Sequence, residues 1–413
     1  MTQSPLENTA ESYLQKLCVE IINRCVGSKG NRLATDFFAE RSSAFGFRTE
    51  SPEFDCIDWS HGDVQLKIDG KPYPAFVSPY TLGCELEAPL AVASTIGELE
   101  NKDVSKSILL LRGEIAKEQL MPKNFTFYNP EHHQQIIALV EDKAPQAIIS
   151  ATSRDPELAG GIYPFPLFED GDFDIPSVYT TEEEGHIIAR QEGKQVSLNF
   201  EAARVPATGC NVVARKGHDP ASRIVVFAHI DAKIDTPGAL DNATGVIVLL
   251  LLAELLQEIS FTKTIEIVAL NGEDYYAASG EMLYLQHNPN QMEDVFLGIN
   301  IDAPGYKDGK SAFSLYDCPN DMSSKIRKSF PEQKGFMEGE QWYQSDHSLF
   351  IMNERPALAI TSEKFMHLST YITHTAKDAP SLVEPTKLVE ISLALRDLLV
   401  ALDQKESELS DPL

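Results

Sequence analysis

From residue 210 onward the chain alternates between short apolar runs and helical patterns, and this alternation is the feature that most restricts its fold. The runs RIVVFA, TIEIVAL and FLGINI are rich in Val, Ile, Leu and Ala, and helical segments separate them. Strands buried on both faces read as nearly continuous apolar runs, and strands that alternate with helices are typical of parallel sheets. We therefore predict an α/β fold with a mostly parallel, mixed sheet sandwiched by helices, the last helix running from Thr386 to about Gln404.

The N-terminal part of the chain shows a second helical pattern. Between residues 11 and 47, apolar residues recur at three- and four-residue steps, and glycines stand where the pattern breaks. We expect two helices here, over residues 11–27 and 31–47, that pack on the larger part of the protein.

The middle of the chain has a different sequence pattern. Short β-rich runs separated by Pro and Gly fill residues 61–205, and helical patterns occur there only near His132–Leu139 and Thr181–Gln191. This pattern indicates a small, β-rich domain. We therefore predict one discontinuous domain made of residues 1–60 and 206–413, with residues 61–205 inserted into it.

The charge balance argues against two classes of partner. Asp and Glu number 62 against 35 Lys and Arg among the 413 residues, which gives a formal net charge of −27. Such a surface repels the phosphates of nucleic acids and anionic lipid headgroups, so we expect neither nucleic acid nor a membrane as a partner. The longest apolar run, Val246–Ala253, is too short to span a bilayer, and no signal peptide is visible, which predicts a cytoplasmic protein. The sequence leaves the oligomeric state open.

Side chains that bind metals follow the apolar runs, at the positions where the predicted strands end. Ligands of open α/β sheets bind outside the carboxyl ends of the strands. Imidazoles combined with carboxylates suit zinc or a similar ion, whereas the oxygen-only sites of hard cations would not need histidine. The residues concerned are His229, Asp231, Asp241, Glu273, Asp274, Asp302, Asp346, His347, His374 and Asp378.

Several linked motifs resemble those of the co-catalytic zinc exopeptidase family, which includes aminopeptidases, glutamate carboxypeptidase and glutaminyl cyclase. In chain order the motifs are HIDAKIDTPGALDNATG, NGEDYYAASG, NIDAPG, SDHSLF and THTAKD. The resemblance covers about residues 206–404 together with the two N-terminal helices. The middle segment resembles a protease-associated domain, a β-rich insertion found in several members of this family.

The resemblance implies a site for two divalent metal ions, most simply Zn²⁺. His229 and Asp302 would hold one ion, Asp274 and His374 the other, and Asp241 would bridge them. Asp231 would contact His229 and fix its tautomer. For Asp241 the residues leave a second interpretation open, namely an N-cap for the helix that begins near Asn242.

Glu273 precedes a metal ligand and has no ligand role of its own, which leaves its carboxylate free to act as a general base. His347 and Tyr371 are the candidates for a contact to the substrate, although His347 is equally consistent with a structural role beside Asp346. Asp274 is shorter than the Glu that the family usually carries at this position, which puts the strength of that metal site in question.

The resemblance predicts a metal-dependent exopeptidase, and most simply an aminopeptidase that removes the N-terminal residue of a peptide. A carboxypeptidase or a glutaminyl-cyclase-like acyl transferase on the same scaffold is the alternative among enzymes. A carboxypeptidase would need a cation for the substrate carboxylate, for which Arg355 is the candidate. A catalytically silent binding protein is the alternative from another class.

Overall fold

The computed structural model describes residues 4–155, 158–289 and 291–404, so the end of the predicted discontinuous domain, residues 405–413, lies outside the described residues. The strands are β1 (Arg48–Glu50), β2 (Glu53–His61), β3 (Gln65–Ile68), β4 (Lys71–Tyr73), β5 (Phe76–Val77), β6 (Cys84–Ala93), β7 (Ile108–Leu111), β8 (Ala147–Thr152), β9 (Ser177–Thr181), β10 (Gln195–Phe200), β11 (Ala202–Cys210), β12 (Val212–Lys216), β13 (Asp219–His229), β14 (Lys263–Leu270), β15 (Val295–Ile301), β16 (Ser311–Tyr316), β17 (Phe336–Glu338) and β18 (Ala357–Ser362). The α-helices are α1 (Pro5–Gln15), α2 (Lys29–Ala44), α3 (Ile96–Glu100), α4 (Glu131–Lys143), α5 (Glu182–Ala189), α6 (Thr244–Leu255), α7 (Ser279–His287), α8 (Asn320–Ser329), α9 (Ser348–Met352), α10 (Phe365–Tyr371) and α11 (Pro385–Asp403).

The first sheet has the strand order β1-β12-β14-β13-β15-β18-β16-β17. Its four central strands, β14, β13, β15 and β18, run parallel, whereas β12 and β16 join this core in antiparallel orientation. Apolar clusters cover both faces of the sheet. The α/β fold with a mixed, largely parallel sheet between helices is thus confirmed.

Helix α6 lies in the middle of one of these clusters, and it explains the longest apolar run of the sequence. Every residue from Val246 to Ala253 is buried, because α6 packs against α11, α1 and β13. A helix that is apolar all round is a buried core helix. Among the helices of the described residues, none combines the length and the apolar character that a bilayer span requires.

The N-terminal helices differ from the prediction at their ends. α1 begins at Pro5 rather than near residue 11, because Ser4 caps it and Glu7 completes a reciprocal capping box. The helical chain ends at Glu20, so residues 22–27, which we predicted as helix, form an irregular connection. The prediction used only the spacing of apolar residues and did not consider the capping signal of Ser4 and Glu7.

The second sheet is built from the middle of the chain, in the order β4-β3-β10-β6-β7-β8-β9-β5. Its strands β6, β7, β8 and β9 are parallel, and α4 and α5 lie where the two helical patterns were predicted. The antiparallel ribbon of β2 and β11 lies on either side of this segment in sequence. The proposed boundaries at residues 60 and 205 fall within this ribbon, and the division into two domains remains our proposal.

Candidate metal centre

The five predicted metal ligands lie on four loops and one strand end, and the fold brings four of them into direct contact. Parallel strands end at the same edge of a sheet, which is why residues far apart in sequence meet there. His229 ends β13, Asp241 lies in the turn before α6, Asp274 follows β14, Asp302 follows β15, and His374 follows α10.

Asp241 lies between the two histidines. Its Oδ1 is 3.0 Å from Nε2 of His229, and its Oδ2 is 3.1 Å from Nε2 of His374. One carboxylate thus offers a separate oxygen to each side of the centre. A carboxylate that spans two ions is the arrangement that a two-metal site requires.

The remaining two carboxylates pair with one histidine each. Oδ1 of Asp274 is 2.9 Å from Nε2 of His374, and Oδ1 of Asp302 is 3.9 Å from Nε2 of His229. The shorter Asp side chain at position 274 therefore reaches its histidine. Oδ2 of Asp302 accepts a hydrogen bond of 2.7 Å from Ser345, which orients this carboxylate.

Unsatisfied polar atoms test whether this donor set fits metal ions. Both carboxylate oxygens of Asp274 and both ring nitrogens of His229 are buried and lack a hydrogen bond of good geometry to the described residues, although Oδ1 of Asp274 and Nε2 of His229 each lie within 3.0 Å of another predicted ligand. Buried polar groups are normally paired, so unpaired nitrogen and carboxylate atoms that converge on one point fit a cation. One ligand atom each from His229, Asp241 and Asp274 lies within 4.8 Å of the other two, and nitrogen–carboxylate sets of this kind suit zinc.

The charges of the centre lead to the same conclusion. Although burial alone would lower the pKa of His229, contacts with Asp231, Asp241 and Asp302 raise it well above its usual range. Burial would also raise the pKa of Asp241, but the two histidines lower it well below its usual range. Because a metal ion at this centre must displace the proton that His229 holds, metal affinity depends on pH.

The backbone around Asp241 decides between the two interpretations of this residue. Asp241 is not helical and is joined to Asn242 by a cis peptide bond. Ala243 is at the N-cap position of α6, and the side chain that binds its first turn is that of Asn242, whose Oδ1 accepts a hydrogen bond of 3.0 Å from the N–H of Gly245. The Asp241 side chain is thus available to the two histidines.

Asp378 holds this turn from the side, a function that the sequence did not suggest. Its Oδ1 accepts a hydrogen bond of 2.7 Å from the N–H of Leu240, and its Oδ2 accepts one of 3.0 Å from the N–H of Asp241. Burial, followed by repulsion from Asp241, raises the pKa of Asp378 to about 7. Asp378 therefore positions the backbone of Asp241, the residue predicted to bridge the metal ions.

We expect Asp378→Asn to weaken metal binding by about 10–100-fold, the usual cost of removing a residue that orients a metal ligand. Asn keeps one acceptor, but its NH₂ group would face a backbone N–H and push the Asp241 turn away. Chelator competition measures the affinity, with Asp63→Asn, an exposed change between β2 and β3, as the control. Equal affinities in the two variants would contradict the positioning role.

Asp231 makes its hydrogen bonds to the backbone and lies near His229, the histidine that we predicted it to contact, without hydrogen bonding to it. Its oxygens accept hydrogen bonds of 2.9 Å from the N–H of Gly272 and 3.0 Å from the N–H of Asp274. Its distance to Nδ1 of His229 is 3.7 Å, which exceeds a hydrogen bond. Asp231 therefore holds the turn that carries Glu273, and its control of the His229 tautomer remains a prediction.

Arg24 ties the N-terminal segment to the loops of the centre, and no motif in the sequence pointed to it. Its buried guanidinium donates hydrogen bonds to the carbonyls of Leu17, Ile230, Pro237 and Gly238, at 2.7–3.1 Å. These carbonyls belong to the N-terminal helical segment and to the connection between β13 and α6, which carries both Asp231 and Asp241. Only the fold brings these segments together.

Glu273 lies where the proposed general base should lie. It lines a cavity of about 440 Å³ together with Asp241, Asp302 and His374. Burial, opposed by His229 and reinforced by repulsion from neighbouring carboxylates, raises the pKa of Glu273 well above its usual range. Cations held by the adjacent ligands would counter this repulsion.

The two candidate substrate contacts lie elsewhere. His347 is fully buried, with Nε2 at 2.6 Å from the carbonyl of Trp342 and Nδ1 at 3.4 Å from Asn300, and it lines neither cavity beside Glu273. Tyr371 is 53% exposed on α10 and is likewise absent from these cavity walls. The geometry thus favours the structural interpretation of His347 and leaves Tyr371 outside the walls of the two cavities that contain Glu273.

The middle segment reaches the His374 loop through two glycines. A side chain on Gly160 would lie 2.2 Å from the carbonyl oxygen of Thr373, and one on Gly161 would lie 2.3 Å from that of Thr370. Both glycines have positive φ. This close packing places the segment against the loop that carries one of the predicted ligands, a contact that sequence reasoning missed.

Comparisons with known proteins identify similar sequences and similar structures. Residues 211–399 match the sequence model of Peptidase family M28. The chain is 23% identical over 374 residues to "probable leucine aminopeptidase 2" of Aspergillus fumigatus, an alignment that covers 85% of this chain and 69% of that protein. A zinc aminopeptidase from Bacillus subtilis has a similar structure, with a TM-score of 0.74 at 18% identity over 98% of this chain and 97% of that one. A glutaminyl cyclase from Porphyromonas gingivalis gives a TM-score of 0.52 at 16% identity over 97% and 100% of the two chains. At these identities the structural likenesses establish the fold.

Proposed function

We propose that the protein is a metal-dependent aminopeptidase with two zinc ions, a proposal supported by the match of residues 211–399 to the sequence model of Peptidase family M28. The observation that carries the proposal is the position of Asp241, with one oxygen at each histidine. Glu273 lines the same cavity as this carboxylate, which supplies a base beside the metal ligands. The complete ligand set argues against a silent binding protein.

In this proposal the protein's residues divide the reaction between them. Bound zinc ions would polarise the scissile carbonyl and lower the pKa of the attacking water. A carboxylate oxygen of Glu273 takes a proton from that water and passes it to the leaving amine nitrogen. The buried carboxylates favour a substrate end that carries a positive charge, which a free N-terminal ammonium provides.

The cavity of about 440 Å³ fits the first residue of the peptide. Three of the five ligands line it, so the carbonyl of that residue can reach the centre. Phe365 and Met366 supply an apolar wall, and Thr370 and Thr373 lie beside them. This wall supports a substrate with an apolar N-terminal side chain such as leucine.

The carboxypeptidase alternative is not supported by the position of Arg355, its candidate cation for the substrate carboxylate. Arg355 precedes β18 at the amino end of the sheet, whereas the metal ligands follow the carboxyl ends. Its guanidinium donates to the carbonyls of Asn353 and Glu293. A substrate carboxylate at the centre would therefore not meet this residue.

The test is hydrolysis of leucine p-nitroanilide by the zinc-loaded protein, with N-acetyl-leucine p-nitroanilide as the matched control. We expect two zinc ions per chain, cleavage of the free-amine substrate only, loss of cleavage after chelation and recovery when zinc is restored. Two bound ions without cleavage of free-amine substrates would overturn the aminopeptidase. Full activity in the metal-free protein would overturn the metal centre.

A further inference from the structure

A separate cavity of about 330 Å³ shares Glu273 with the cavity of the metal centre. None of the five proposed ligands lines it. Its walls come from both large segments of the chain: Leu120, Phe125 and Tyr128 belong to the middle segment, and Tyr275 follows the Glu273 turn. A pocket with apolar and aromatic walls and a few polar groups is a typical ligand site.

The polar groups of this cavity include Glu118, His132 and His133. Oε1 of Glu118 is 3.2 Å from Nε2 of His132 and 3.9 Å from Nε2 of His133. The three residues could hold a metal ion by distance alone. The hydrogen bond at the other ring nitrogen of His133, Nδ1, argues against a metal ion at this site.

Nδ1 of His133 accepts a hydrogen bond of 3.1 Å from the N–H of Met121. Burial, together with the neighbouring His132, lowers the pKa of His133, so the ring is neutral. A neutral imidazole whose Nδ1 accepts must carry its proton on Nε2. Nε2 is therefore a hydrogen-bond donor, and it has no lone pair for a metal ion.

This donor lacks an acceptor. His133 is 4% exposed, and its Nε2 has no hydrogen-bond partner among the described residues. Its neighbour Glu118 is an anionic acceptor: partial burial would raise the pKa of Glu118, but the hydrogen bond from His132 and the charge of Lys117 lower it. A fixed, buried donor and an ionised acceptor thus lie 3.9 Å apart in the wall of the cavity.

A hydroxyl group satisfies both, because one oxygen can accept from an N–H and donate to a carboxylate. A lysine or arginine side chain would satisfy Glu118 but leave the His133 N–H unpaired. Glu169, another carboxylate in the wall of the cavity, needs no cationic ligand, since it already accepts 2.7 Å and 3.1 Å hydrogen bonds from Lys233 and Gln119. Aromatic walls around a polar end suit a phenol ring.

The position of Glu273 indicates which residue of the substrate enters this cavity. In the proposed reaction Glu273 gives its proton to the leaving amine, which belongs to the second residue of the peptide. The cavity that contains Glu273 and none of the ligands therefore lies on the leaving side of the scissile bond. We propose that this cavity binds a tyrosine side chain in the second residue of the substrate, with its hydroxyl between Glu118 and His133.

This inference rests on the proposed aminopeptidase activity, and its test uses matched substrates. We compare kcat/KM for leucyl-tyrosine and leucyl-phenylalanine, which differ only in the hydroxyl, and follow leucine p-nitroanilide in parallel. Hydrogen bonds to charged groups predict a preference for tyrosine of roughly 10–100-fold. Glu118→Ala should bring the ratio close to one. Glu131→Ala, an exposed change on α4, should keep the wild-type ratio.

The outcomes separate the two proposals. A ratio near one in the wild type, together with cleavage of leucine p-nitroanilide, overturns the tyrosine site and leaves the aminopeptidase intact. Faster cleavage of leucyl-arginine than of leucyl-tyrosine overturns it in favour of a cationic side chain, and a third zinc ion per chain that is lost in Glu118→Ala overturns it in favour of a metal. Cleavage of none of these substrates overturns both proposals.

Discussion

Glu273→Gln is expected to lower kcat by about 10²–10⁴-fold, the range in which a positioned acid or base contributes to catalysis. Gln has nearly the same shape as Glu, but its amide cannot take a proton from water. The substitution should leave the five proposed ligands in place. The hydrogen bonds described above for the Glu273 turn come from backbone N–H groups, and the Glu273 side chain makes none of them. The loss should therefore fall on kcat and not on metal content.

The measurement combines steady-state hydrolysis of leucine p-nitroanilide with zinc determined on the same preparation. Glu87→Gln, an exposed change of the same kind on β6, is the matched control and should retain full activity. Glu273→Asp keeps the base but shortens it, so we expect an activity between those of wild type and Glu273→Gln. Activity within threefold of wild type in a zinc-loaded Glu273→Gln protein would remove Glu273 from the proposed mechanism.

The sequence predicted the residues of this centre because strand ends are visible in the pattern of apolar runs. His229, Asp274 and Asp302 each follow such a run, and the topology of parallel strands then brings them to one edge. The first sheet could be predicted for the same reason. Local patterns were thus sufficient to predict which residues meet at this edge of the sheet.

The residues that support the centre could not be predicted in this way. Arg24 and Asp378 act on backbone groups more than 130 positions away in the sequence, and an isolated Arg or Asp carries no sign of such partners. The donor on His133 depends on a hydrogen bond from Met121 to its ring. These roles arise from tertiary contacts, which a single sequence does not contain.

Glu266→Ala is expected to destabilise the protein by about 3–5 kcal/mol, the usual cost of removing one partner from a buried ion pair. Glu266 is fully buried on β14, and its Oε2 accepts hydrogen bonds of 2.6 Å from Arg215 and 3.0 Å from Arg223. Its Oε1 accepts one of 2.7 Å from Tyr284. Without the carboxylate, two guanidinium groups lose their shared counter-charge inside the first sheet.

Equilibrium unfolding in urea measures this loss, with Tyr284→Phe as the companion variant. Tyr284→Phe removes one hydrogen bond and leaves the ion pairs, so it should cost only about 1 kcal/mol. A loss below about 1 kcal/mol in Glu266→Ala would contradict the proposed importance of the ion pairs. The difference between the two variants separates the contribution of the ion pairs from that of the Tyr284 hydrogen bond.

A double-mutant cycle distinguishes a stabilising network from an uncompensated charge. If the cost of Glu266→Ala is the penalty of leaving Arg223 without its carboxylate, Arg223→Met in the same chain should recover part of the lost stability. Two additive losses would instead show that the residues act independently.

Because β13 and β14 lead to His229 and Asp274, we expect the zinc affinity of Glu266→Ala to fall. In the double variant the zinc affinity should recover together with the stability of the sheet.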